Sequence, residues 1–247
     1  MKVLIVDDNE ITLEIEKLML QGCGVEAEGV QSGKEAVELA KSKKYDMILM
    51  DIQMPEKDGF ASSEEIRTFD KTTPIIAISA DKITDTDERL IKSGINSCLY
   101  KPLEPEKIEE LLNTREFTNE QSANKEEEKF IDDYEFFSFE NLLSLVGDKE
   151  TVFILLQQFL SSHGNDCDLM WRYIKEKDYL SAREVMHTLV GVVGTMYCTQ
   201  LYEACIILGS EFRSECSHSF ENFKNVWNNT IEDFLRCIKK LSNKQEK

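Results

Sequence analysis

The sequence lacks the features that secreted, membrane-spanning and nucleic-acid-binding proteins need. Acidic residues outnumber basic ones 47 to 29, and the net charge of −18 argues against binding a phosphate backbone, which needs concentrated lysine and arginine. The seven cysteines include no Cys-x-x-Cys pair, which favours reduced, buried thiols. Two aspartates end the first apolar run after Val6, too early for a signal peptide or a membrane span. We therefore expect a cytoplasmic protein with no nucleic-acid partner and no membrane insertion.

Short apolar runs alternate with segments of helical period through residues 1–115. The runs are residues 3–6, 25–30, 47–50, 75–78 and 95–100. Because crossover helices cover both faces of a parallel sheet, this alternation predicts a doubly wound α/β fold with a five-stranded parallel sheet, as in flavodoxin-like proteins. Ser32 and Glu35 have the spacing of a helix capping box, and Pro105 suits a first helical turn.

The second half of the chain has a different pattern. Proline is absent after Pro105, and from residue 136 apolar residues recur every three or four positions, which predicts an all-α antiparallel bundle over residues 136–247. Its predicted helices are residues 139–146, 149–163, 166–176, 179–196, 199–215 and 220–241. Residues 116–135 hold eight acids and two bases, which predicts a flexible acidic linker. A chain of 247 residues with 41% hydrophobic residues is large enough for two domains with separate cores, residues 1–115 and 136–247.

Reactive side chains directly follow four of the five predicted strands. They are Asp7 and Asp8, Asp51, Ser79 and Lys101. Because the carboxyl ends of parallel strands meet at one edge, we expect these side chains to converge. Three carboxylates there repel one another unless a hard cation binds, and Mg²⁺ accepts carboxylate oxygens while sharing an oxygen of a phosphate. The pattern predicts in-line attack by Asp51 on a phosphoryl group whose oxygens contact Mg²⁺, Lys101 and the Ser79 hydroxyl.

These residues, with the segment Met54 to Gly59 and the Lys101-Pro102 pair, resemble a response regulator receiver domain. The resemblance covers residues 1–115 and implies that Asp51 is the phosphoacceptor. It implies Mg²⁺ ligands from Asp7, Asp8, Asp51 and the backbone carbonyl of Gln53. It also implies that Ser79 is the switch hydroxyl, that Lys101 pairs with the phosphate, and that the bond to Pro102 is cis.

One position departs from the receiver pattern. Receivers usually carry Tyr or Phe three residues before the lysine, and here that residue is Cys98. Tyr100 is a candidate substitute, since strand alternation places it on the same face as Cys98.

The predicted helix over residues 179–196 is rich in glycine and valine. His187, Gly191 and Gly194 are spaced by four and seven residues and share one face. The predicted core stripe lies on another face and consists of Ala182, Val185, Met186, Leu189, Val193 and Met196. The glycines and valines cost about 2–3 kcal/mol in helix propensity, so some other requirement holds them there. Glycines beside an imidazole let another active site approach the ring, and a neutral imidazole is a competent acceptor near neutral pH.

This helix resembles the central helix of a histidine phosphotransfer domain, over roughly residues 136–241, which implies that His187 carries a phosphoryl group. That family typically has lysine three residues after the histidine and a Gly-Ala pair ten and eleven residues after it. Here the residues are Val190, Tyr197 and Cys198. A packing role for His187 therefore stays open.

Two functions remain. In the first, the chain is a two-component phosphorelay protein that exchanges phosphoryl groups through Asp51 and His187. Its partners are a sensor histidine kinase, a downstream receiver protein, or both, because no kinase motif is present; beyond phosphotransfer or weak autophosphatase activity it is not an enzyme. In the second, only Asp51 is phosphorylated and the bundle is a catalytically silent docking surface. His163 and Cys167 have a metal-ligand spacing, but Gly164 and Asn165 predict a helix break between them.

Overall fold

A computed structural model of the chain describes residues 1–54, 58–80, 88–113 and 134–245. The first three segments form an α/β half. Its elements are β1 (Lys2–Val6), α1 (Glu10–Gly22), β2 (Glu26–Val30), α2 (Gly33–Ser42), β3 (Met47–Asp51), α3 (Gly59–Phe69), β4 (Ile75–Ser79), α4 (Glu88–Ser93), β5 (Ser97–Tyr100) and α5 (Pro105–Asn113). The five strands are parallel in the order β2-β1-β3-β4-β5, which confirms the predicted fold class. The strand order reverses between β1 and β3, the position where ligands bind in open sheets.

The second half is helical, as predicted. Its elements are α6 (Phe139–Val146), α7 (Lys149–His163), α8 (Asp166–Glu176), α9 (Tyr179–Thr195), α10 (Thr199–Phe212) and α11 (Phe220–Gln245). The break between α6 and α7 follows from Gly147, which adopts a left-handed conformation at φ 87°, and from Asp148, which accepts a hydrogen bond from the Thr151 N–H. No helix among the described residues is both long and apolar enough to cross a membrane.

The two halves share an apolar cluster along α1. Helix α1 contacts α6, α7 and α9, and its Ile15 and Met19 belong to the same buried cluster as Phe159 of α7. The opposite face of the sheet has its own cluster, which includes Ile48 and Met50. The expectation of two separate cores therefore differs from the structure, because α1 is buried on one side by the sheet and on another by the helical half. Except for residues 134 and 135, the predicted linker lies outside the described residues.

Candidate functional site

The carboxyl edge of the sheet holds one lysine between two aspartates. Lys101 Nζ lies 2.5 Å from Asp7 Oδ2 and 2.5 Å from Asp51 Oδ2, and all three residues are buried. The Lys101 backbone N–H donates to the Ser79 carbonyl, and the bond to Pro102 is cis, as predicted. Burial alone would lower the pKa of Lys101, but the Asp51 and Asp7 carboxylates outweigh it and raise that pKa well above its usual value. The ammonium therefore stays charged and holds the two carboxylates together.

Asp8 completes a group of three carboxylates. Oxygens of Asp7, Asp8 and Asp51 lie within 4.8 Å of one another. Burial, and then the charges of Asp7 and Asp51, raises the pKa of Asp8 to about 6. Burial also raises the pKa of Asp7, although Lys101 opposes this shift. Three desolvated, like-charged oxygen donors fit a hard divalent cation such as Mg²⁺, because the cation offsets their repulsion.

The backbone beside Asp51 is closely packed. The Gln53 N–H donates to Asp51 Oδ1 at 2.8 Å, which fixes one carboxylate oxygen. A Cβ atom added to Gly59 would lie 2.2 Å from the Asp51 carbonyl oxygen, so only glycine fits at the start of α3. The predicted tight turn over residues 54–59 includes residues 55–57, which lie outside the described residues.

The remaining predicted receiver residues lie near this edge. Ser79 is buried at the end of β4 and is in register with Tyr100. Cys98 is half-buried and packs against the cluster of Ile52, Ala77 and Leu90, whereas 41% of Tyr100 is exposed. The two residues therefore differ in environment, although both lie on β5, an edge strand of the sheet.

The His187 face of α9 lies against the same edge. A Cβ atom added to Gly191 would lie 3.5 Å from Lys101 Nζ, and one added to Gly194 would lie 2.8 Å from Pro102 Cβ. His187 is half-buried and precedes Gly191 by one helical turn, which separates Cβ positions by about 5–6 Å. Gly194 therefore admits the α/β half of the same chain, whereas an alanine at position 191 would meet Lys101 at an ordinary contact distance.

The core stripe predicted for α9 is largely buried. Its buried members are Ala182, Met186, Leu189, Val193 and Met196, whereas Val185 is only partly buried. Val190 and Val192 are buried as well, so apolar packing surrounds more of the helix than the stripe predicted.

Two polar contacts also join the halves. Asn9 Oδ1 accepts hydrogen bonds from the backbone N–H groups at the start of α1, which orients the amide so that Nδ2 donates to His163 Nε2 at 3.1 Å. The other ring nitrogen of His163, Nδ1, then donates to Asp166 Oδ2 at 2.8 Å. On α10, the Tyr202 hydroxyl donates to the Lys101 carbonyl at 3.2 Å.

Sequence reasoning missed two of these residues. Glu16 on α1 is fully buried, and neither carboxylate oxygen has a hydrogen-bond partner among the described residues. Burial, and then the charge of Asp7, raises the pKa of Glu16 well above its usual value. The sequence feature that could have identified Glu16 was a single acidic residue between Ile15 and the apolar residues one helical turn later. His163 was considered only with Cys167, and the predicted break does separate them; its contact with Asn9 spans 154 residues and has no local signal.

Residues 3–113 match the response regulator receiver domain family. The signal transduction histidine-protein kinase BarA of Shigella flexneri is 39% identical over 114 residues, which cover 45% of this chain and 12% of that protein. The chain therefore spans about an eighth of the length of the curated relatives it matches.

Two solved structures also resemble this half. The receiver domain of the sensor histidine kinase PA1611 from Pseudomonas aeruginosa, with magnesium in its active-site cleft, is 31% identical with a TM-score of 0.43, and the match covers 46% of this chain and 94% of that one. A chain in the co-crystal of the Saccharomyces cerevisiae phosphotransfer protein Ypd1 and the Ssk1 receiver domain is 26% identical with a TM-score of 0.43, covering 46% and 86%. Receiver domains bind Mg²⁺ in an acidic pocket, and Asp7, Asp8 and Asp51 form an acidic cluster here. Residues 3–113 thus match the response regulator receiver domain family, whose domains act in two-component signalling.

Proposed function

We propose that this chain is a two-component phosphorelay protein that carries phosphoryl groups on Asp51 and exchanges them with His187. One observation carries the proposal: the His187 face of α9 lies on Lys101, and the same ammonium contacts Asp51. Both proposed acceptors therefore lie near one positive charge.

Asp51 would act as the nucleophile. A lone pair of its carboxylate oxygen forms the new P–O bond while the P–N bond of a phosphohistidine breaks. The electron pair of that bond returns to the ring nitrogen, and the proton already carried by the other ring nitrogen leaves the imidazole neutral. Lys101 and the Ser79 hydroxyl would contact the oxygens of the transferring group, where negative charge must be stabilised. Mg²⁺ held by Asp7, Asp8, Asp51 and the Gln53 carbonyl would supply further positive charge to those oxygens.

Lys101 also offers a substitute for the lysine of the phosphotransfer pattern that is replaced by Val190 in this chain. Val190 is buried and apolar, so it provides no charge to a phosphorylated His187. Lys101 lies beside Gly191, one turn from the histidine. The receiver ammonium would therefore replace the lysine that histidine phosphotransfer domains typically carry on this helix.

The proposal also assigns the rest of the chain. Residues 1–115 and 136–247 act as two domains joined by the acidic segment 116–135. Phosphoryl groups come from a sensor histidine kinase or pass to a downstream receiver protein, and the chain itself has no kinase activity. We place it in the cytoplasm, where such partners have their catalytic domains.

A second candidate is a phosphorylation-gated binding module whose helical half is catalytically silent. The burial of Val190 and Cys198 favours it, because residues that depart from the phosphotransfer pattern serve packing. On this reading only Asp51 is phosphorylated.

The two functions are separated by loading the chain with acetyl phosphate and Mg²⁺ and testing the label. An aspartyl phosphate is labile in base, whereas phosphohistidine is labile in acid and stable in base. We expect both labels in the unmodified chain, only the aspartyl label in His187→Gln, and neither in Asp51→Asn. His218→Gln and Asp168→Asn, which alter exposed residues of the same types, should behave as the unmodified chain. An aspartyl label alone under every donor establishes the binding module, and no label at all contradicts both functions.

A further inference from the structure

The helical half lies across the approach to Asp51. Asp7 and Asp51 have no exposed surface, and Lys101 is 7% exposed. In the described part of the helical half, Gly191 and Gly194 lie against the Lys101-Pro102 segment, and the Tyr202 hydroxyl donates to the Lys101 carbonyl. A protein that phosphorylates Asp51 must bring its own phosphoryl group to bonding distance of that carboxylate. It would need the space beside Lys101 that α9 already fills.

We propose that the helical half is a gate on the receiver: when closed, it reserves Asp51 for α9 and excludes other proteins, and exchange with another protein requires it to open. The inference rests on the proposed phosphorylation of Asp51, but it does not depend on the chemistry of His187. The receiver surface around α1 and Lys101 thus has the helical half of its own chain as its first partner.

A polar latch holds one side of the gate. It consists of Asn9, His163 and Asp166, joined by the hydrogen bonds described above. The amide of Asn9 cannot rotate to suit another partner without losing the cap of α1. The Asn9 N–H also donates to Asp7 Oδ1 at 2.8 Å, so the latch is connected to the acidic cluster by one hydrogen bond. A movement of Asp7 therefore alters the position of Asn9 and the strength of the latch.

The glycine face holds the other side and provides a matched pair of variants. Alanine at Gly194 would place its Cβ 2.8 Å from the ring of Pro102, which has little freedom to move. Alanine at Gly191 would place its Cβ 3.5 Å from Lys101 Nζ, an ordinary contact distance. Both changes favour the helix, Gly191 inside α9 and Gly194 in its last turn, so the large difference between them is the close contact at Gly194, which includes Tyr202 Cδ2 at 3.3 Å as well as Pro102.

The gate is tested in the full chain carrying His187→Gln, so that only Asp51 takes label. Two quantities are measured: hydrogen exchange of the α1 amides, which reports opening, and the rate of labelling by acetyl phosphate with Mg²⁺. Gly194→Ala should raise α1 exchange and speed labelling about tenfold, because the rate scales with the open fraction. Gly191→Ala should produce less than about a third of that effect, since its contact is ordinary.

A second variant tests opening independently, in case the structure adjusts to the alanine at position 194 without opening. The double change His163→Leu with Tyr202→Phe removes both polar contacts and should speed labelling about threefold or more, again through the open fraction. Faster labelling with faster α1 exchange in either opening variant supports the gate. Faster exchange with unchanged labelling overturns it, and so does no change in either quantity in both variants. Failure of the proposed relay can be told apart from failure of the gate, because it appears as missing label on His187 in the unmodified chain.

Discussion

The acidic site of the receiver and the His187 face of α9 are specified in different ways. The reactive residues of the receiver lie at the carboxyl ends of four strands, so the sheet topology brings Asp7, Asp51 and Lys101 together. The α9 face consists of residues spaced by four and seven positions on a single helix. Its function depends on what packs against it, and here that is Lys101.

The two regions also differ in charge. Near one ammonium, the receiver site holds the buried carboxylates of Asp7 and Asp51, the half-buried Asp8, and Glu16, whose oxygens have no hydrogen-bond partner among the described residues. The α9 face supplies small residues and no compensating charge at Val190. Changes in the receiver should therefore alter the chemistry, whereas changes in α9 should alter close approach.

The largest effect is expected for Lys101→Met. Removing the ammonium should slow phosphorylation of Asp51 about 10²–10³-fold, the usual cost of losing one group that stabilises developing charge. Because the same ammonium lies beside Gly191, label on His187 should fall with it. Labelling kinetics with acetyl phosphate test this, with circular dichroism to confirm folding. Persistence of the His187 label at its normal rate would break the link between the two regions.

A pair of glycine variants compares the two regions in stability. Gly59→Ala would force a Cβ against the Asp51 carbonyl and should lower the free energy of unfolding by about 3 kcal/mol. Gly191→Ala meets only an ordinary contact and gains up to about 1 kcal/mol of helix propensity, so stability should hold or rise. Urea denaturation measures both. Equal losses in the two variants would show that the α9 glycine is as tightly required as the receiver glycine.

We expect the buried carboxyl of Glu16 to lower the free energy of unfolding, and α9 has no comparable residue. Replacing it with methionine, which has a similar shape, removes a buried carboxyl without partners and should raise the free energy of unfolding by about 2 kcal/mol. Glu14→Met, at an exposed position of the same helix, is the matched control. A loss of stability in Glu16→Met would mean that the carboxyl has a favourable partner in the folded protein.

Proton competition at Asp8 gives a smaller effect. Since the pKa of Asp8 is raised to about 6, protons should compete with Mg²⁺, and affinity should fall about tenfold per pH unit below that value. In the absence of metal, the folding stability that Asp8 contributes changes with pH in the opposite direction to the Mg²⁺ affinity. A raised folded pKa favours the protonated form, so the stability from this group is lost as pH rises from about 4 through 6. Calorimetric Mg²⁺ titration from pH 5 to 8 tests the binding, and Asp8→Asn should flatten the profile.

Much of the fold follows from the sequence because its signals are local. The strands and helices begin and end within a few residues of the predicted positions, since apolar period, capping residues such as Asp148, and Gly147 act over one or two turns. The grouping of Asp7, Asp8 and Asp51 follows from topology. The roles of these residues and of His187 remain predictions.

The docking of the helical half could not be derived in this way. It depends on contacts such as Asn9 with His163 and Gly194 with Pro102, which join distant parts of the chain. One signal was available in α1, where apolar residues occupy more of the helix than one sheet-facing stripe needs. Ile11 and Leu13 are both buried on directions well apart around that helix. A helix so widely apolar must be covered on two sides.

The central claim is that Asp51 and His187 of the same chain exchange a phosphoryl group. The most direct measurement loads Asp51 with acetyl phosphate, removes the donor, and follows the base-labile and acid-labile labels at several protein concentrations. If the exchange occurs within one chain, the acid-labile label should appear as the base-labile label disappears, with a rate constant independent of protein concentration. No acid-labile label, or a rate proportional to concentration, would contradict it.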